Sequence, residues 1–169
     1  MPRPKEGTYP AYFQNYVSQV KEDNLKKAFS NQQDIINKFF YSIPEEKTMT
    51  GYAEDKWSLK ELLQHIIDAE RIFGYRALSF ARGEKTSLPS FEENDYAANS
   101  NANTRKWKSL CDELKAVRKS TRFMYNSFSK NALKSSGIAN NNPMSVLALG
   151  FISVGHLYHH IKIIQERYL

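Results

Sequence analysis

Cysteine occurs once in this 169-residue chain, at Cys111. A single thiol closes no internal disulfide, so a reducing compartment is expected and stability must come from burial. Seven glycines and six prolines are too few to punctuate a strand-rich architecture, which points to long helices. No run of 18 or more apolar residues occurs, so no membrane span is expected. The opening decapeptide M-P-R-P-K-E-G-T-Y-P lacks the apolar region of a signal peptide, and a cytoplasmic address is the expectation.

What is present is an ordinary globular balance, 41% hydrophobic and 25% charged. The length suits one domain spanning residues 1–169, with a core large enough to need no staples. The net charge is +6, but the densest basic stretches, K-E-D-N-L-K-K (21–27) and R-K-W-K (105–108), are short and met by acids. That pattern argues against nucleic acid as a partner and for solvated helix faces.

Four segments carry helical spacing. The first runs from Tyr12 to Ser42 with an interruption expected near Asp23, and Pro44 closes it. Its second half repeats Leu25, Ala28, Phe29, Gln32, Ile35, Ile36, Phe39 and Phe40 at steps of three and four. The second opens on Ser58 and Glu61, a capping box, and faces inward through Leu59, Leu62, Ile66, Ala69, Phe73 and Ala77 until Gly83. The third, Thr104 to Ser129, carries Trp107, Leu110, Cys111, Leu114, Val117, Thr121 and Met124. The fourth is expected to start at Pro143 and run to the end.

Residues 84–101 read as a surface loop, long enough for the helices on either side of it to run parallel. S-S-G-I-A-N-N-N-P (135–143) reads as a second loop. The fold class is all-α, a four-helix bundle with a long connection between its second and third helices.

Three of the four histidines fall in G-H-L-Y-H-H, residues 155–160. His156 and His160 stand four apart, on one helix face and one turn from each other. Their strip is mostly apolar. His159 points elsewhere, toward a structural task, and Gly155 permits close helix packing. His65, flanking the buried face of the second helix, is the remaining candidate ligand. Bundles build metal sites from facing helices, and three imidazoles suit Zn²⁺, Ni²⁺, Fe²⁺, Co²⁺ or Mn²⁺ with coordination positions left open. The bland alternatives are a chance H-x-x-x-H pair and a hydrogen-bonded core-edge histidine.

The sequence resembles the DinB superfamily, the DinB/YfiT-like metal-dependent four-helix-bundle proteins. The likeness rests on K-W-S-L-K-E-L-L-Q-H-I-I-D-A-E-R-I-F-G-Y-R-A-L-S-F-A-R-G-E (56–84), L-P-S-F-E-E-N-D-Y (88–96), A-V-R (116–118) and S-V-G-H-L-Y-H-H-I-K-I-I-Q-E-R-Y-L (153–169). It implies a metal held by His65, His156 and His160, and relatives that transfer low-molecular-weight thiols such as bacillithiol or isomerise with mycothiol. Substrate identity does not transfer with the fold.

Around such a site, Asp68 is a candidate base or an acceptor for His65, or else a surface carboxylate paired with a cation. Glu70, Arg71 and Arg76 read as bundle-locking ion pairs, with Arg76 alternatively binding an anionic substrate group. Tyr96 and Asp95 either cover the site or simply pack. Cys111 reads as core. There is no Ser-His-Asp order, glycine-rich phosphate loop, Cys-x-x-Cys or Glu-x-x-His pair, so one metal ion is expected. The expected activity is Lewis-acid thiol transfer or hydrolysis of a small-molecule substrate. The alternative is a non-catalytic stress-response or ligand-binding bundle whose metal is structural or absent. A homodimer through exposed helix faces is compatible with the pattern.

Overall fold

The computed structural model describes residues 3–169, so Met1 and Pro2, the start of the decapeptide read above for a leader, lie outside it. The first expected segment is divided. A 3-10 turn (Ala11–Phe13) leads into α1 (Gln14–Gln19), and the chain breaks before α2 (Leu25–Phe39). Asn24 causes the restart, its side chain accepting the Lys27 backbone N–H. A 3-10 turn, Phe40–Ser42, ends the segment ahead of Pro44.

The second bundle helix, α3 (Leu59–Ala81), starts at a complete capping box between Ser58 and Glu61. It stops at Gly83, whose φ of 88° carries no penalty without a Cβ. The 84–101 connection is not structureless: α4 (Glu93–Asn99) forms within it. Seven residues are too few to display a 3.6-residue repeat. Glu93 and Asp95 in the first turn complement the positive end of the helix dipole.

The third bundle helix, α5 (Trp107–Ser127), is followed by the short α6 (Lys130–Lys134). Residues 135–143, expected as a loop, form most of a hairpin of β1 (Ser136–Ala139) and β2 (Asn142–Ser145). Asn140 and Asn141 turn it with φ of 49° and 58°, the left-handed pair that a tight two-residue hairpin requires. Pro143 therefore sits in β2 opposite Ile138 and does not open the last helix. Ser145 caps that helix, α7 (Val146–Arg167), by accepting the Ala148 N–H. The hairpin is tied to the 84–101 connection, since Leu88 exchanges backbone hydrogen bonds with Ile138 and Asn140.

α2, α3, α5 and α7 form a four-helix bundle, and their contacts fix its directions. Trp107 donates to the Phe40 carbonyl while Tyr125 stacks on Phe29, so α2 and α5 are antiparallel. Tyr168 reaches the Trp57 carbonyl while His156 meets His65, so α3 and α7 are antiparallel too. Between α3 and α5 the pairs rise together, from Gln64–Arg105 through Arg71–Glu113 to Gly74–Met124. These successive bundle helices run parallel, and the long connection carrying α4 makes that possible.

Two apolar clusters form the core. One gathers Phe29, Phe73, Phe80, Tyr125 and Phe151, the other Ile36, Leu63, Trp107, Leu110 and Leu157. At the level between them, each bundle helix contributes a buried polar residue: Gln32, Glu70, Arg118 and Ser153. Arg118 is 2.8 Å from Glu70 and donates to the Ser153 carbonyl, and Gln32 donates to the Val154 carbonyl. α7 is the only described helix long and apolar enough to cross a membrane, but 78% of its most apolar window is buried in the bundle. It is the core helix.

Candidate metal centre

His65 of α3 and His156 and His160 of α7 lie beside this polar layer, 5–8% exposed. The antiparallel packing of α3 on α7 turns their rings toward one point. His65 Nε2 is 3.2 Å from His156 Nε2, which is 3.0 Å from His160 Nε2. The ligand-capable atoms of the trio lie within 4.8 Å of one another.

A neutral imidazole nitrogen either donates one hydrogen bond or accepts one, so His156 Nε2 cannot satisfy both neighbours. A shared cation does satisfy them. Imidazole–metal bonds of about 2.0–2.1 Å place two nitrogens about 2.9 Å apart at a right angle and about 3.3 Å apart at the tetrahedral angle. The observed separations fall between those values. Protonation is suppressed as ligation requires: burial, the main cause, holds His65 at about 4 and drives His156 and His160 well below the usual imidazole value.

Aromatic rings surround the trio. Trp57 lies 4.9 Å from the His65 ring, and Tyr16 and Phe73 meet the His156 ring edge-on at 5.3 and 5.7 Å. Gly155 brings α1 this close, because a Cβ there would lie 2.0 Å from the Tyr16 carbonyl oxygen. His159 is half-buried and is not one of the converging residues; its ring packs on Tyr16 at 5.1 Å and edge-on to His160 at 5.0 Å.

Two clefts reach the histidines. The larger, about 350 Å³, exposes His65 and His156 and extends to Arg76; Phe91 and Glu93 of the 84–101 connection line it. The smaller, about 230 Å³, reaches His160 between Trp57 and Tyr168 and includes Asn94. The first turn of α4 thus stands between the two mouths. Tyr96, 48% exposed, lines neither cleft and stacks on Phe91 at 5.2 Å; Asp95 is exposed as well.

Asp68 accepts hydrogen bonds from Gln64 at 2.9 Å and Arg71 at 3.5 Å, and no imidazole is among its partners. Glu70 pairs with Arg118 and Arg71 with Glu113, whereas Arg76 forms no ion pair among the described residues. Cys111 is fully buried, its thiol pushed up to about 12 chiefly by burial. It is a core residue.

Arg118 and Tyr125 are buried where the sequence reading placed Val117 and Met124. The steps 107, 111, 114, 118, 121, 125 would have found both, but a charged residue on the stripe masks the pattern. The aromatic lining from Tyr12, Tyr16 and Phe91 carries no periodic signal.

No curated protein sequence matches the chain significantly. Among solved structures, YfiT from Bacillus subtilis, described as a probable metal-dependent hydrolase with an unusual four-helix bundle topology, is similar at 14% identity and TM-score 0.67. The match covers 97% of this chain and 90% of that one. The mycothiol-dependent maleylpyruvate isomerase is similar at 10% identity and TM-score 0.61, over 89% of this chain and 59% of that one. Both likenesses concern the fold. The sequence profile of the DinB superfamily matches residues 28–164, a span that covers most or all of each of the four bundle helices and includes the three converging histidines, and the chain belongs to that superfamily.

Proposed function

We propose that the protein is a metal-dependent enzyme with one divalent transition metal held by Nε2 of His65, His156 and His160. The observation that carries this reading is the convergence of three buried, neutral imidazoles on one point. Zn²⁺, Ni²⁺, Fe²⁺, Co²⁺ or Mn²⁺ in that position supplies Lewis acidity to a water or to a low-molecular-weight thiol of the bacillithiol kind. The histidines hold the ion and stay unprotonated near neutral pH. Trp57, Tyr16 and Phe73 exclude bulk water around their rings. The larger cleft admits a small-molecule substrate to His65 and His156.

The reaction is thiol transfer or hydrolysis, in the cytoplasm. Asp68, half-buried and one helical turn from His65, is the candidate base on α3, and in that role it would turn from Gln64 and Arg71 toward the imidazoles. Tyr96, through its stack on Phe91, steadies the cleft wall. Pairing into a homodimer would use the groove between α3 and α5, where Tyr75 and Leu78 are exposed.

Elemental analysis of the purified protein should find about one transition-metal ion per chain. Retention of the ion by both His65→Ala and His156→Ala would overturn the site. Turnover of model electrophiles only with added thiol supports transfer; ester or amide cleavage without thiol supports hydrolysis. A fully loaded protein with neither activity favours the non-catalytic alternative.

A further inference from the structure

Arg76 is 5% exposed and lines the larger cleft, at the far end from His65. The two residues are eleven apart on α3, about 16 Å along the helix axis, and the arginine side chain leans back toward the helix N-terminus. One guanidinium nitrogen, Nη2, donates to the Pro89 carbonyl at 2.8 Å. Nε is buried with no partner among the described residues. No described carboxylate lies within ion-pair distance, although Glu70 and Arg71 on the same helix both have counter-ions.

A buried guanidinium without a counter-ion is costly unless a ligand supplies the charge. The rest of the cleft says which charge. Phe13, Phe73 and Phe91 give it apolar walls, and Ser90 and Asn140 offer neutral polar groups. Arg76 is the only Lys or Arg among its lining residues, and the carboxylate of Glu93 also lines it. A dianion would have one cation to meet and a like charge nearby. A planar monocarboxylate matches the guanidinium fork.

We infer that the substrate is a small monocarboxylate with an aromatic or apolar body, its carboxylate bound by Arg76 and its reacting group directed to His65 and His156. Only the second half rests on the metal-centre reading. Arg76 is the specificity residue, and the aromatic walls hold the body of the molecule between the two ends.

Calorimetry on the metal-loaded protein, with benzoate, phenyl phosphate and benzyl alcohol as probes, tests this. Benzoate should bind at least about tenfold more tightly than benzyl alcohol, and Arg76→Gln should erase that difference while metal content stays unchanged. Arg76→Lys should recover part of it. Equal affinity of the wild-type protein for benzoate and benzyl alcohol overturns the inference, whether or not the variants fold. Preference for phenyl phosphate overturns the monocarboxylate assignment. An Arg76→Gln protein with full metal and undiminished benzoate binding overturns the role of Arg76 and leaves the metal centre intact. Conversely, a His65→Ala protein that keeps its metal yet still prefers benzoate sinks the metal centre and sustains the inference.

Discussion

Nε2 of His65 lies 3.2 Å from Nε2 of His156, joining two residues 91 positions apart in sequence. His160, one turn further along α7, adds the third nitrogen at 3.0 Å from that of His156. His159, its immediate neighbour, instead packs on Tyr16. His156→Ala and His160→Ala should therefore each purify with metal reduced by about tenfold or more, while His159→Ala keeps it. Metal content per chain is the measurement. Loss on His159→Ala equal to that of His160→Ala would contradict the assignment.

The metal-free protein should lose stability in mild acid. Above the ordinary imidazole value of 6.5, His65 is neutral both folded and unfolded. As pH falls below it, the unfolded chain takes up a proton that the folded state refuses until about 4. The unfolded state therefore binds more protons across that window, and stability falls as pH drops through it. For His65 alone the loss is about 3 kcal/mol, and His156 and His160 act in the same direction. Urea denaturation of chelator-treated protein between those pH values should show it; a flat profile would mean that the imidazoles are more solvated than the geometry indicates.

Arg118 and Glu70 form an ion pair with both side chains at most 3% exposed. Burial pushes the Glu70 carboxyl up, and the guanidinium offsets this. Arg118→Met leaves an uncompensated buried carboxylate and should cost about 3–5 kcal/mol. Adding Glu70→Gln should return a substantial part of that loss. A double-mutant cycle in urea gives the coupling; strict additivity would mean that the two residues do not act as a pair.

Gly155→Ala places a Cβ against the Tyr16 backbone, with the carbonyl carbon at 2.4 Å. Backbone cannot yield as a side chain can, so α1 must move off α7. The expected cost is about 1–3 kcal/mol, with faster amide exchange in α1 as the Tyr16 ring leaves His156. Unchanged exchange across residues 14–19 would show that the helices tolerate the methyl group.

The amphipathic stripes, the Ser58–Glu61 capping box and the shared face of His156 and His160 were legible because each depends on residues within a turn or two. Helical spacing states which side chains share a face, and that suffices for a bundle and for two-thirds of a metal site. The elements misread as loops were short or held from outside. α4 spans seven residues, and the 136–145 hairpin is tied to Leu88 across the fold.

By itself, then, the sequence determined an all-α chain with four apolar faces and a histidine pair aimed inward from the last. Only tertiary packing decided that α3 lies antiparallel to α7 at the height that brings His65 to that pair. It also decided that Asp68, three residues on, turns to Gln64 and Arg71, that Arg118 pays for its burial with Glu70, and that Arg76 is left in the cleft without a counter-ion. Periodicity is a property of one helix. Which faces meet, and at what height, depends on the lengths of the connections and on close approaches such as Gly155 to Tyr16.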